Sequence, residues 1–270
     1  MRQIINFNAK WAFTKMADAI PTEISNKWDF VNLPHCWNAI DGQDGDNDYF
    51  RGTAYYAKKL TKSELPEADR YYLEIRGANS SADVYLNGKC LAHHDGGYST
   101  WRVDLTESLE AMNLLVIAVD NAANDRVYPQ MADFTFYGGL YRDVNIVCVN
   151  DTHFDLEYFG SNGIKVTPEI SGKDANVNIE VFVKNLKEGQ KLTFVATVLI
   201  SGNHIIIGIF FQKIHHIPNY LGALLKISID HANIITGCVL KSGINSGFLT
   251  EIPGKAYNLN GATLFLVQLS

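Results

Sequence analysis

Apolar and polar positions alternate over short runs along the first half of the chain, as in AYYAKKL (54–60), RYYLEIRG (70–77), SADVYLNGKCLAHHDGG (81–97) and NLLVIAVDN (113–121). Alternation with a period of two, bounded by turn residues, predicts half-buried strands rather than helices. Asn87-Gly88 stands between two such runs and predicts a tight hairpin. Successive strand side chains point to opposite faces, so Val84 and Leu86 should enter a core while Asp83 and Tyr85 face water. A second series opens near Asn150, after the apolar strand VNIVCV (144–149), with GIKVTPEI (163–170), ANVNIEVFVKN (175–185) and KLTFVATVLI (191–200). About seven such strands make a sandwich of roughly 100 residues. The pattern therefore predicts an all-β chain of two consecutive β-sandwiches.

The pattern changes beyond Ile200. Residues 201–270 hold six charged side chains (Lys213, Lys226, Asp230, Lys241, Glu251 and Lys255), less than half the density of the first 200. The run IIIGIFF (205–211) contains no interrupting charge, and such windows aggregate when exposed. Deep burial would account for this segment, and so would a damaged or frame-shifted reading of a longer gene. An intact continuous frame in the source gene would refute the second explanation.

Composition narrows the function classes. With 270 residues, 47% hydrophobic and 19% charged, the chain can bury a sizeable core. A net charge of −6 and no clustered Lys or Arg oppose binding to a phosphate backbone, so nucleic acid is not an expected partner. The start MRQIINFNAKWAF lacks the apolar core of a secretory signal, which predicts a cytoplasmic protein. No apolar stretch approaches the roughly 20 residues of a spanning helix, so no membrane anchor is expected. Cys36, Cys90, Cys148 and Cys238 are widely spaced without a CxxC pair, which predicts free thiols rather than a zinc site or disulfide framework.

The stretch MADFTFYGGLYRDV (131–144) sets one carboxylate, Asp133, among aromatic residues ahead of Gly138-Gly139. A carboxylate is an acceptor-only group that can take two donors, and Phe134, Phe136 and Tyr137 would form an apolar wall beside it. The alternative is an Asp capping backbone N–H groups in a turn. The glycine pair suits tight backbone geometry more than ligand contact, and Arg142 and Asp143 read as structural ion-pair residues, paired with each other or with neighbours, rather than as binding residues. The acidic loop IDGQDGDNDYF (40–50), with Asp41, Asp44, Asp46 and Asp48, lacks the sixth-position Gly and closing Glu of a calcium loop and reads as a solvated turn. His93-His94 and His215-His216 would point to opposite faces of a strand and could not readily share one ion. Trp11, Trp28, Trp37 and Trp101 are core candidates before they are ligand-stacking platforms. No motif asks for a cofactor or a metal.

Four stretches in order resemble the N-terminal half of glycoside hydrolase family 2, the family of β-galactosidases and β-glucuronidases. They are VNLPHCWNAIDGQDGDNDYFRGTAYY (31–56), GANSSADVYLNGKCLAHHDGGYSTWRVDLT (77–106), VDNAANDRVYPQMADFTFYGGLYRDV (119–144) and HFDLEYFGSNGIKVTP (153–168). The resemblance is close over residues 1–199, with Cys36 where the family more usually has Thr. It implies a jelly-roll sugar-binding domain over 1–149 and an immunoglobulin-like sandwich over 150–252, its pattern degraded after 200. Residues 253–270, with GKAYNLNGA at 254–262, would be the remnant of an approach to a catalytic barrel. A (β/α)₈ barrel needs about 250 residues, so it is expected to be absent here. Retaining hydrolysis needs two carboxyl groups about 5–5.5 Å apart, both supplied by the barrel in this family, so no catalytic residue is expected. The resemblance implies that Asp133 reaches the terminal sugar of the full-length enzyme and that Asn47 and Asp48 lie near its rim. It favours a non-catalytic portion of a glycosidase acting on β-galactosides or β-glucuronides, inactive alone, with a β-linked sugar as ligand. Two other readings are a free-standing carbohydrate-binding module and one subunit of a split glycosidase. The partner would then be a barrel-containing chain, and a homo-oligomer is a further alternative.

Overall fold

Strands form where the β-branched and aromatic runs lie, and every named strand pair is antiparallel. The structure, a computed structural model, describes the chain except residues 1, 16, 18, 40, 42–48, 131, 133–135, 172–173, 188–192, 202–203, 212–222, 230–234, 243–254, 260–261 and 269–270; side chains are described up to residue 187, without 171 and 174–176. Among the described residues the regular elements are strands and three short 3-10 turns. The chain divides into two units, one of residues 1–151 with 159–161 and one of 152–158 with 162–270.

The first unit contains β1 (Gln3–Asn6), β2 (Trp11–Thr14), β3 (Asp29–Val31), β4 (Thr53–Thr61), β5 (Arg70–Ile75), β6 (Ser81–Leu86), β7 (Lys89–Asp95), β8 (Trp101–Asp104), β9 (Met112–Asp120) and β10 (Val144–Val149). They form a six-stranded sheet in the order β3-β2-β4-β9-β6-β7 and a four-stranded sheet in the order β1-β10-β5-β8. One core takes alternate residues from both: Trp11, Tyr56, Val84, Leu86 and Ile117 from the first, Leu73, Ile75, Val103, Val144 and Ile146 from the second. This is a β-sandwich, with inward positions set by the period-two pattern. Asn87 and Gly88 take φ of 52° and 81°, both in the left-handed region that a two-residue hairpin turn requires.

The outer face of the six-stranded sheet is not simply wet, as the alternation predicted. Ala12, Tyr55, Ala57, Val116 and Ala118 form a second buried cluster, and Ala17, Ile20, Ile24, Trp28 and Tyr85 pack against it. Small and aromatic outward residues on β2, β4 and β9 leave an apolar patch, which residues of the β2–β3 connection cover. Asp83 follows the expectation better: it is only partly buried and meets His93 Nδ1 at 2.7 Å.

A buried charge cluster lies on the other sheet. The Glu74 side chain is 3% exposed and the Arg102 side chain 4%, with Arg102 Nη2 2.7 Å from Glu74 Oε2. Arg76 Nε and Asn145 Nδ2 donate to Glu74 Oε1 at 3.0 Å each. Arg102 also donates to the carbonyls of Gly160 and Ser161.

The second unit contains β11 (His153–Phe154), β12 (Ile164–Ser171), β13 (Asp174–Val181), β14 (Val183–Lys184), β15 (Thr193–Ser201), β16 (His204–Phe211), β17 (Ala223–Ile229), β18 (Ile235–Ser242), β19 (Lys255–Leu259) and β20 (Ala262–Gln268). It holds two four-stranded sheets, β12-β13-β17-β18 and β16-β15-β20-β19, and the two-stranded pair β11-β14. Pro168 sits on β12, at a sheet edge, where a residue lacking N–H is tolerated. The IIIGIFF run lies within β16, paired along its length with β15.

Candidate functional site

Two connections of the first unit carry the sequence-predicted site residues, and their described ends are tied together. Asp41 and Tyr49 flank residues 42–48, while Gln130 and Phe136 are the described residues nearest either side of 133–135 apart from Ala132. Tyr49 Oη donates to the carbonyl of Phe136. Arg51 Nη2 donates to the carbonyl of Gln130 at 2.8 Å, and its guanidinium lies 5.0 Å from the centre of the Tyr49 ring. Burial raises the Tyr49 phenol above its ordinary pKa, so it remains a donor at neutral pH.

Beneath these ends lies a buried amide network. Asn38 and Asn121 are both fully buried. Asn38 Nδ2 donates to Asp41 Oδ2 at 2.7 Å and to the Phe50 carbonyl at 3.1 Å. Asn38 Oδ1 accepts from Gly138 N at 2.8 Å and from Asn121 Nδ2 at 3.2 Å. Asn121 Nδ2 also donates to the Phe50 carbonyl, and its Oδ1 accepts from Gly52 N at 2.9 Å. Asp41 Oδ2 accepts a second bond, from Phe50 N at 3.0 Å. Each buried amide spends both its donor and its acceptor capacity, as buried polar groups must.

A second network holds the chain around 128–137. Asn79 Nδ2 donates to the Tyr137 carbonyl at 2.8 Å, Tyr128 Oη donates to Asn79 Oδ1 at 2.8 Å, and Gln130 Nε2 donates to Ser80 Oγ at 2.7 Å. Tyr98 stacks on Tyr128 with ring centres 5.1 Å apart, and Tyr128 lies 6.0 Å from Phe136. Tyr98 and Tyr137 stay exposed, so the wall carries aromatic surface outward. Burial lifts the Tyr128 and Tyr56 phenols above their usual range and lowers His35. Tyr56 Oη lies 2.8 Å from His35 Nδ1 in a hydrogen bond, and the same oxygen accepts from Leu140 N.

Gly138 lets the backbone pass against the Trp37 ring, and Gly139 lets it pass against the His35 carbonyl. A Cβ on Gly138 would lie 2.4 Å from the Trp37 ring, and one on Gly139 would lie 2.6 Å from the His35 carbonyl oxygen. Gly139 has φ of 122° and forms an isolated bridge with Asn79. Both glycines are explained by geometry alone.

Asp133, Asn47 and Asp48 lie outside the described residues, as do Phe134, Asp44, Asp46, His215 and His216. Asp41 is a structural acceptor rather than part of a merely solvated turn. Arg142 and Asp143 do not pair with each other: Asp143 meets Arg76 at 3.6 Å and accepts from Asn8, while Arg142 donates to the Tyr98 carbonyl. His93 bridges Asp83 and Asp95, and His94 stacks on Trp101 with 4.8 Å between ring centres, so the two imidazoles have separate partners. Trp11, Trp37 and Trp101 are core residues. Cys36, Cys90 and Cys148 are free thiols, and the Cys238 side chain lies outside the described residues. Sequence reasoning missed Asn38, Asn79, Asn121, Gln130 and Tyr49. The available signal was weak: Asn38 follows a core Trp and Asn121 closes an apolar strand, both at turns where amides bond backbone.

Comparison with known proteins gives this geometry a family. Residues 46–137 match the model described as glycosyl hydrolase 2 galactose-binding domain-like. A putative beta-glucuronidase of Formosa agariphila is 33% identical over 190 residues, 68% of this chain and 22% of that protein. A beta-galactosidase of Thermoanaerobacter pseudethanolicus is 29% identical over 218 residues, 73% of this chain and 28% of that protein. The structure of Bacteroides uniformis beta-glucuronidase 2, covalently bound to cyclophellitol-6-carboxylate aziridine, superposes with a TM-score of 0.65 at 26% identity, covering 90% of this chain and 32% of that one. The chain thus spans about a quarter of the length of the curated relatives it matches. These matches and the all-β sandwich agree with the four sequence stretches, and the chain belongs to glycoside hydrolase family 2, carrying that family's N-terminal galactose-binding-like domain.

Proposed function

We propose that the chain is the sugar-binding portion of a family 2 glycosidase acting on β-glucuronides or β-galactosides, with Asp133 accepting hydroxyl bonds from the terminal sugar. The observation that carries this reading is the tie between the Asp41–Phe50 and Gln130–Gly138 stretches through Tyr49, Arg51 and Asn38. It gathers the ends of the segments holding Asn47, Asp48 and Asp133 at one edge of the sandwich. The exposed Tyr137 and the stacked Tyr98–Tyr128 pair supply the apolar surface that a sugar ring needs beside its hydroxyl acceptors. Similarity to proteins named beta-glucuronidase and beta-galactosidase supports the substrate class.

Binding of methyl β-D-glucuronide and methyl β-D-galactoside, followed by calorimetry, tests it. One of them should bind in the millimolar range, about −4 kcal/mol, and Asp133→Asn should weaken it roughly tenfold or more, as loss of a charge-assisted bond does. Equal binding by the variant would remove Asp133 from the site. Among the described residues no barrel is present, so these 270 residues by themselves should not turn over chromogenic glycosides. Turnover abolished by Asp133→Ala would place the catalysis inside the sandwiches and overturn this account.

A further inference from the structure

We infer that Asn38 is a positioning residue that locks the two flanks of the sugar site to each other through one buried side chain. The inference rests on the proposed function for the word "sugar", but the lock itself rests on geometry. The Asn38 amide nitrogen holds Asp41 and Phe50 on one side, and its oxygen holds Gly138 and Asn121 on the other. Backbone bonds from Trp37 N to the Gly138 carbonyl at 3.2 Å and from His35 N to the Leu140 carbonyl at 2.8 Å run beside this link, and the Asn38 amide extends it across 100 positions from Gly138 to Asp41 and Phe50. Because the side chain is fully buried, a lost bond is not replaced by water, and the flanks are left with the outer ties of Tyr49 to Phe136 and Arg51 to Gln130 and without the inner one that fixes Gly138 against Asp41 and Phe50.

The polarity of the link makes a specific test. Asn38→Asp has nearly the same shape and keeps the acceptor toward Gly138 and Asn121. It replaces the donor with a carboxylate oxygen facing Asp41 Oδ2, where the amide nitrogen stood at 2.7 Å, and facing the Phe50 carbonyl, where it stood at 3.1 Å. Two carboxylates at that distance cannot both be charged, so one proton is held between them and its pKa rises. The other titratable or charged groups around the pair are Cys36 and Tyr49, both pushed up by burial and so away from the acidic range, and the cations Lys15, over the Phe50 ring, and Arg51, against the Tyr49 ring. The variant should therefore resemble the wild type at acidic pH, where the shared proton restores the donor, and lose the lock as pH rises through the raised value.

The readout is hydrogen-exchange protection of the Phe50 and Gly138 amides across pH, each referred to its intrinsic rate. In Asn38→Asp both should lose about tenfold or more in protection toward neutral pH and recover it in acid. The exchanged pair Asn38→Asp/Asp41→Asn, with a donor on residue 41 instead, should remove that pH dependence. Affinity for the methyl glycoside should follow the protection. Protection at Gly138 and Phe50 that is independent of pH in Asn38→Asp, or a double variant that keeps the pH dependence of the single, would overturn the inference. If the protection pattern holds and the wild type binds no glycoside, the lock stands and the sugar reading falls. If the wild type binds and affinity ignores the lost protection, Asn38 is structural and does not position the site.

Discussion

Replacing Glu74 with Gln is expected to lower stability by about 3 kcal/mol. Its carboxylate lies 2.7 Å from the guanidinium of Arg102, whose side chain is 4% exposed, and Arg76, Asn145 and, at 3.9 Å, Arg2 surround it. Removing one partner of a buried pair leaves the other desolvated without its counter-charge, which costs more than the intact pair contributes. Burial alone would raise the Glu74 pKa, but hydrogen bonds from Arg102 and Asn145 and the Arg102 charge hold it below the ordinary glutamate value. A carboxyl whose folded pKa is depressed gives its full stabilisation above the unfolded pKa and loses it as pH falls through the folded value. Urea denaturation at several pH values should therefore show a deficit in Glu74→Gln at neutral pH that shrinks in acid. A deficit under 1 kcal/mol at neutral pH, or one that grows on acidification, would contradict the buried-pair account.

Gly139→Ala should cost about 3 kcal/mol or more. The added methyl would stand 2.6 Å from the His35 carbonyl oxygen and 2.7 Å from Tyr56 Oη, in a backbone with φ of 122°. Neither neighbour can retreat easily. His35 N donates to the Leu140 carbonyl, and Tyr56 is fully buried in the core. Gly88→Ala is the control: its φ is 81°, but nothing lies within 4 Å of the new methyl. It isolates the backbone term, about 1 kcal/mol. Chemical denaturation of the two variants should give a clear gap, and equal losses would mean that the close approach at Gly139 is relieved without cost.

Much of the fold was legible because it depends on local periodicity. Val84 and Leu86 enter the core as their alternation demands, and Asn87-Gly88 makes the turn for which its φ values suit it. Glu74 was not legible. In RYYLEI it alternates with Leu73 as an outward residue should, and only the sheet pairing reveals Arg102 opposite it. The covering of the outer face was hidden for a similar reason: Ile20, Ile24 and Trp28 have no strand period, and their place follows from the patch they cover. The family stretches directed attention to Asp133, whereas the residues that tie its neighbourhood together are uncharged amides separated by 83 and 100 positions from their partners. Pairings of that range leave no periodic trace, since they are fixed only when the sandwich closes.

We propose that the edge flanked by Tyr49, Phe136 and Gly138 receives a β-linked sugar through Asp133. Titrating the isotopically labelled chain with methyl β-D-glucuronide, and separately with methyl β-D-galactoside, while following backbone amide shifts tests it most directly. The account predicts saturable shifts concentrated at Tyr49–Phe50 and Phe136–Gly138 with one of the two glycosides, and their loss in Asp133→Asn. Shifts confined to other surfaces, or shifts at this edge that Asp133→Asn leaves unchanged, would contradict it.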